Sequence, residues 1–146
     1  MMQTKDPDYK NRITQIFHQA NFIQHLGITL VDVGAGWCDT ELMLQAHHLQ
    51  QDDVVHAGVM ATMADHTAGA ASATIVSAGE YVLTVEFKIN LLRTARGEKL
   101  RCHAQILKPG RMFTVTESEV YMIEGASEKL AAKATITIAN LPKNTD

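Results

Sequence analysis

Only two cysteines, Cys38 and Cys102, occur in the 146 residues, so neither a disulfide framework nor a four-thiolate metal site can be built. An excess of one charge is also missing. Thirteen Lys and Arg against sixteen Asp and Glu leave a net charge of −3, which offers no basic footprint and argues against a nucleic-acid partner. No stretch approaches the roughly 18 consecutive apolar residues that cross a bilayer. The start, Met1-Met2-Gln3-Thr4-Lys5-Asp6-Pro7-Asp8, has no apolar core of a secretion leader. A cytoplasmic protein with no membrane association is the expectation. There is no GxSxG elbow, phosphate-binding loop or dinucleotide fingerprint. What remains is an ordinary globular composition, 46% hydrophobic and 20% charged. The length suits one compact domain, and residues 1–146 are read as such.

The hydrophobic pattern divides the chain. Asp6-Pro7 reads as an N-cap with proline at the first helical position, and Ile13, Ile16, Phe17 and Ala20 recur at helical spacing. A short helix over about 7–20 is predicted, with the core of the domain over about 21–141. Ile28–Val33 and Trp37–Leu44 flank Gly34-Ala35-Gly36 as a hairpin. Gln45 to Asp53 reads as a polar loop. Its His47-His48 pair has no further ligand at metal-binding spacing, so no metal is expected. Ala57 to Ser77 is dominated by Ala, Gly and Ser, lacks proline, and carries Asp65 as its only formal charge. That composition predicts a helix packed on most sides. Beyond it lie three alternating segments, around Tyr81–Leu91, Leu100–Ile106 and Leu130–Ile138, and the Thr-, Val-, Phe- and Tyr-rich Arg111–Ile123; together these four read as an antiparallel meander. The tail from Pro142 to Asp146 reads as frayed. One helix on one sheet with no second covering layer points to a homo-oligomer.

The chemistry concentrates at His56-Ala57-Gly58 and Asp65. The first amides of a helix lack intrahelical acceptors and, with the helix dipole, attract negative charge. Ala57 and Gly58 carry no bulk, so a substrate carbonyl can approach this oxyanion-hole geometry. Asp65 falls two turns on, on the face of Gly58 and Ala61. A carboxylate among alanines is costly unless it meets water, a donor or a substrate. Aspartate is a weak base, with an ordinary pKa of about 3.9. It suits an ester with a good leaving group, and a thiol of pKa about 8.5 leaves more readily than an amine. Thioester hydrolysis follows as the reaction class, with Asp65 as base or nucleophile. Cys38 and Cys102 read as packing residues.

His56-Ala57-Gly58 followed by Met63-Ala64-Asp65 resembles the His-Gly-Gly…Leu-x-Asp signature of the hot-dog-fold acyl-CoA thioesterases, in the phenylacetic-acid-degradation branch of the 4-hydroxybenzoyl-CoA thioesterase superfamily. The resemblance spans about residues 20–141. It implies an α+β domain with an antiparallel sheet wrapped around a long central helix, working as a homodimer or homotetramer with its active site at the subunit seam. The substrate it implies is an acyl-CoA, coenzyme A being part of the substrate rather than a cofactor. Asp65 maps to the base or nucleophile, Ala57 with Gly58 to the oxyanion hole, and His56 to an orienting group. Gln50 stands where some relatives carry asparagine, and Thr84 where relatives carry a hydroxyl near the attacking water. Alternation along Tyr81–Leu91 sets Thr84 off the apolar face. Arg93, Arg96, Lys108 and Arg111 fall in the two stretches that border the nucleotide in the family. Three positions depart from the pattern: Ala57 replaces glycine, Gln50 replaces asparagine, and Thr94 stands where proline is frequent. An acyl-thioester hydratase or dehydratase and a non-catalytic acyl-CoA binder are the alternative readings.

Overall fold

The computed structural model describes residues 2–143. In chain order they form α1 (Tyr9–Gln19), α2 (Asn21–Leu26), β1 (Thr29–Gly34), β2 (Trp37–Met43), α3 (Ala57–Ala73), β3 (Glu80–Leu91), β4 (Lys99–Lys108), β5 (Phe113–Glu124) and β6 (Ser127–Pro142). The sheet is antiparallel, with strand order β1-β2-β4-β5-β6-β3. It wraps the small-residue helix α3, the hot-dog arrangement that the resemblance implies.

Small side chains let α3 sit deep in the curved sheet. Met63, Ala64, Ala68 and Ala71 are fully buried against inward residues such as Leu100, Cys102, Val120, Ile136 and Ile138. Buried hydroxyls satisfy one another across this interface: Thr40 bonds Thr67 and Ser72 bonds Thr116, each at 2.8 Å. The Ser118 hydroxyl donates to the Ala64 carbonyl at 2.8 Å. A buried polar group without such a partner costs stability, so these pairs also set how the helix sits on the sheet.

Four sequence expectations change. First, β3–β6 do not form a four-strand meander. β4, β5 and β6 do, but β3 crosses to the far edge and pairs only with β6, because α3 lies between β2 and β3 and leaves β4 free to pair with β2. Second, the alternation of β3 is broken by a bulge between Thr84 and Glu86. One extra residue reverses facing. Thr84 therefore pairs with inward Ile138, and Phe87 with inward Ile136, so both lie on the helix side of the sheet. Third, the N-terminal helix starts at Tyr9 rather than Pro7 and breaks at Ala20 into α1 and α2. Asp6 caps the preceding turn instead, accepting from Asp8 N at 2.9 Å. Gly27, at φ +84°, closes α2 in the left-handed conformation that suits glycine. Fourth, Pro142 ends β6 and Lys143 N donates to Gly79 O at 2.8 Å. The rest of the expected frayed tail, residues 144–146, lies outside the described residues.

Arg12 performs a task that its position in the sequence does not announce. From α1 its guanidinium donates to the carbonyls of Ala73, Val76 and Ser77 at 2.8–3.1 Å. Its Nε lies 3.1 Å from Asp6, itself largely buried. A cation thus neutralises the open carbonyls at the end of α3. Arg12→Ala leaves those carbonyls and Asp6 without it and is expected to cost about 2–4 kcal/mol of unfolding free energy by chemical denaturation. A loss below 0.5 kcal/mol, typical of surface substitutions, would show the cap to be idle.

Candidate functional site

His56 is the N-cap of α3. Its backbone is extended (φ −63°, ψ 134°), and its Nδ1 accepts the N–H of Gly58 at 2.8 Å. A Cβ on Gly58 would sit 2.9 Å from that nitrogen, so the glycine makes room for the imidazole ring. The Val59 N–H is taken by the His56 carbonyl at 3.0 Å. The Gly58 amide is therefore already occupied by the cap. Ala57 N–H is the remaining first-turn amide without an acceptor among the described residues, and Ala57 is exposed. It opens on a cleft of about 550 Å³ shared with Gln50, His56, Met60 and Arg93.

Gln50 is half-buried, and its side-chain oxygen is held by the backbone N–H of Asp52. That leaves its amide nitrogen as the donor on offer. Arg93 lies in the same cleft, with its guanidinium anchored on the Leu130 carbonyl at 2.8 Å. Arg96 lies three residues further, exposed. Lys108 and Arg111, also exposed, flank the β4–β5 turn, and Arg111 lines a separate cleft with Lys5 and Val76 beyond the C-terminal end of α3. The two cationic stretches thus border opposite ends of a 17-residue helix, which is about 25 Å long at 1.5 Å per residue.

Asp65 is half-buried on the one stripe of α3 that the sheet leaves open, with Gly58, Ala61, Thr62 and Gly69. The Thr84 hydroxyl donates to Asp65 Oδ1 at 2.6 Å. The bulge in β3 makes this contact possible by turning Thr84 to the helix side. The pair opens on a groove of about 580 Å³ between α1, α3 and β3, floored by Gly69, Ala70 and Ala73 and bordered by His66. This groove and the Ala57 cleft share no lining residue. Eight helical residues, about 12 Å of rise, separate Ala57 from Asp65. Within one chain a single carbonyl therefore cannot touch both the Ala57 N–H and the Asp65 carboxylate.

Two further histidines carry structure. His48 is 1% exposed. His66 stacks edge-on against Phe17 with ring centroids 4.7 Å apart. Burial lowers the pKa of both below the ordinary 6.5, with Leu26 O opposing at His48 and Asp65 opposing at His66. The folded state therefore binds fewer protons than the unfolded chain below that value, and their contribution to stability is present above pH 6.5 and lost as the pH falls through the depressed folded values. The melting temperature should fall from pH 7.5 to pH 5, and His66→Phe should flatten that slope. An unchanged slope in the variant would remove His66 from the account. Cys38 and Cys102 are buried on β2 and β4, and burial raises both thiols, Cys102 to about 12, so neither supplies a thiolate nucleophile. Among the described residues no group of three or more His, Cys, Asp or Glu is placed to hold a metal, and no helix is long and apolar enough to cross a membrane.

Comparison with known proteins places this geometry in context. The family model described as the thioesterase superfamily matches residues 52–129, a span that contains His56, Ala57, Asp65 and Thr84. A thioesterase family protein of Silicibacter pomeroyi is 29% identical, superposes with a TM-score of 0.90, and is matched over 92% of this chain and 98% of its own. A conserved protein of Pseudomonas aeruginosa is 31% identical, with a TM-score of 0.76 over 83% of this chain and 94% of its own. A thioesterase of Haemophilus influenzae, at 21% identity and a TM-score of 0.81 over 90% of each chain, shares the fold.

Proposed function

This chain belongs to the thioesterase superfamily, and from that premise we propose that it is a single-domain enzyme that hydrolyses an acyl-CoA thioester to the free acid and coenzyme A. The observation that carries the reading is Asp65, a carboxylate on the one open stripe of an otherwise buried helix, held by the Thr84 hydroxyl at 2.6 Å. With Oδ1 occupied by Thr84, Oδ2 is the oxygen left to act on water or on the acyl carbon.

In the proposed reaction the thioester carbonyl lies against the Ala57 N–H, with the Gln50 amide as a second donor. His56 acts at one remove, holding the first turn by capping Gly58. Asp65 takes a proton from water as the water adds to the carbonyl carbon, or attacks that carbon directly to form a mixed anhydride that water then hydrolyses. Negative charge moves to the carbonyl oxygen, where the amide stabilises it. Collapse breaks the C–S bond and expels the thiolate, which takes its proton from Asp65 in the base route and from solvent in the direct-attack route. A leaving group of pKa about 8.5 needs little help from an acid. Arg93 and Arg96 provide cations for the phosphates of coenzyme A near the Ala57 cleft, and Lys108 and Arg111 at the far end of the helix do so from a second subunit.

The 12 Å gap between the two halves of the site supports a shared active site at a subunit seam. Among the described residues β3 is an edge strand whose outer side has no partner, and its Phe87 and Leu91, 45% and 51% exposed, lie on the helix side. An edge of this length with apolar side chains demands a cover, and a second copy related by two-fold symmetry supplies one while forming two equal sites. A homodimer, or a tetramer built from it, is the assembly proposed. The test is thiol release from short, long and aromatic acyl-CoAs, followed with a chromogenic aromatic disulfide that the freed thiolate cleaves. Turnover of at least one of them supports the reading. Tight binding of acyl-CoAs with no thiol released would replace it with a binder, and water addition to an enoyl-CoA without thiol release would replace it with a hydratase.

A further inference from the structure

The loop between β2 and α3 carries Gln50 and leads directly into Ala57 at the first position of α3, the two donors proposed for the carbonyl, and it hangs on one buried side chain, His48. Its Nε2 lies 2.7 Å from the Leu26 carbonyl at the end of α2. A carbonyl only accepts, so Nε2 bears the proton. Nδ1, left bare, accepts the N–H of Gln45 at 2.9 Å. Both ring nitrogens are spent on backbone, which fixes one tautomer and one orientation. The turn Ala46–His48 is thereby clamped to the N-terminal helices.

The clamp continues into the site. The His48 carbonyl accepts the N–H of His56 at 2.9 Å, and Leu49 bridges Val55. His48 and His56 thus form the two sides of a stalk from which residues 49–55 project. Gln50 sits at one side, its N–H on Val54 O at 2.8 Å. Ala57 follows at the other. The direction in which Ala57 N–H points is set by the peptide plane between His56 and Ala57, and His56 is held from behind by His48.

We propose that His48 is a positioning residue for the oxyanion donors: its ring, though it touches no substrate, fixes the aim of the Ala57 amide and the Gln50 side chain relative to the acyl carbonyl. This rests on the hydrolase reading above. Donors in an oxyanion hole act only when aimed at the charge that develops, and a displacement near 1 Å costs about 10²-fold in rate. Loss of the clamp should therefore lower kcat and leave KM, set mainly by the remote contacts to coenzyme A, largely unchanged.

The experiment uses His48→Gln, His48→Asn and His48→Ala in the full chain. Gln keeps a donor for Leu26 O, and Asn keeps an acceptor for Gln45 N. Kinetics are measured well below the melting temperature of every variant, alongside amide hydrogen exchange of residues 45–60. The expected result is a fall in kcat of about 10- to 100-fold in Ala with KM within twofold, a smaller fall in whichever conservative variant keeps the dominant bond, and faster exchange confined to this loop and the first turn of α3. A kcat within twofold of the parent in folded Ala and Gln variants overturns the inference, as does an equal rise in KM with kcat preserved. Should the parent protein turn over no acyl-CoA, the hydrolase reading fails separately. The clamp is then judged on exchange alone: acceleration limited to residues 45–60 keeps it, and an unchanged or globally accelerated pattern removes it.

Discussion

Asp65→Asn is expected to abolish acyl-CoA hydrolysis, with kcat down by about 10²–10⁴-fold, while the protein keeps its fold and assembly. The substitution is nearly isosteric, and the asparagine oxygen can still accept from the Thr84 hydroxyl that now bonds Oδ1 at 2.6 Å. Asp65 lies on the open stripe of α3 rather than in the sheet interface, so its charge contributes little to packing. What disappears is the ability to take a proton or form a bond to the acyl carbon. Steady-state kinetics with circular dichroism and a thermal melt check both halves of the expectation. A variant that retains more than a tenth of the parent rate removes Asp65 from the mechanism. The base and nucleophile routes separate in a single turnover in ¹⁸O-labelled water. Direct attack, with water opening the mixed anhydride at the Asp65 carbonyl, leaves the label in the Asp65 carboxylate and delivers an unlabelled oxygen to the first product, whereas general-base hydrolysis puts the label in the acid at once.

Ala57→Pro is expected to be as damaging through the opposite end of the helix. Proline at the first helical position removes the N–H yet fits the local backbone, since its φ near −65° is helical. The residue before proline must be extended, and His56 already is, at φ −63° and ψ 134°. The helix start should survive without its free donor, and kcat should fall by about 10²–10³-fold. A folded variant with an undiminished kcat would show that the carbonyl does not use this amide. The pair of variants also tests the seam. If each site takes Ala57 from one chain and Asp65 from another, a mixed dimer of Ala57→Pro and Asp65→Asn holds one intact site and one doubly defective site. Random re-association of the two inactive proteins should then restore about a quarter of the parent activity. If both groups served one carbonyl from the same chain, every site would keep a defect and mixing would restore nothing.

Much of this molecule was legible before any coordinates. The Ala–Gly–Ser composition of Ala57–Ser77 required a helix buried on most sides, and α3 is that helix. Period-two runs marked β4 and β6, and β-branched and aromatic content marked β5; their inward residues Leu100, Cys102, Val120, Ile136 and Ile138 are all buried. The motif around His56 and Asp65 was readable because helical spacing is rigid: residues two turns apart share a face in any fold. The face shared by Gly58, Ala61 and Asp65 could be drawn from the sequence for the same reason, but not that the sheet leaves it open.

The partners of these residues were not legible, because pairing across the chain depends on path rather than period. Nothing local says that β3 crosses to the far edge, or that a bulge next to Val85 turns Thr84 toward Asp65. The occupation of the Gly58 amide by His56 depends on a side-chain rotamer. The burial of His48, two residues from an exposed loop, depends on α2 arriving beneath it. Arg12 reads as one more surface cation until the end of α3 is brought to it. The sequence by itself determined element type, the face of each helix and the chemical groups available, since these follow from backbone periodicity and side-chain identity. Only the tertiary structure decided which strand became the uncovered edge, which amide stayed free and how far the acid stood from it, since those are distances between segments remote in sequence, set by how one helix beds into a twisted sheet.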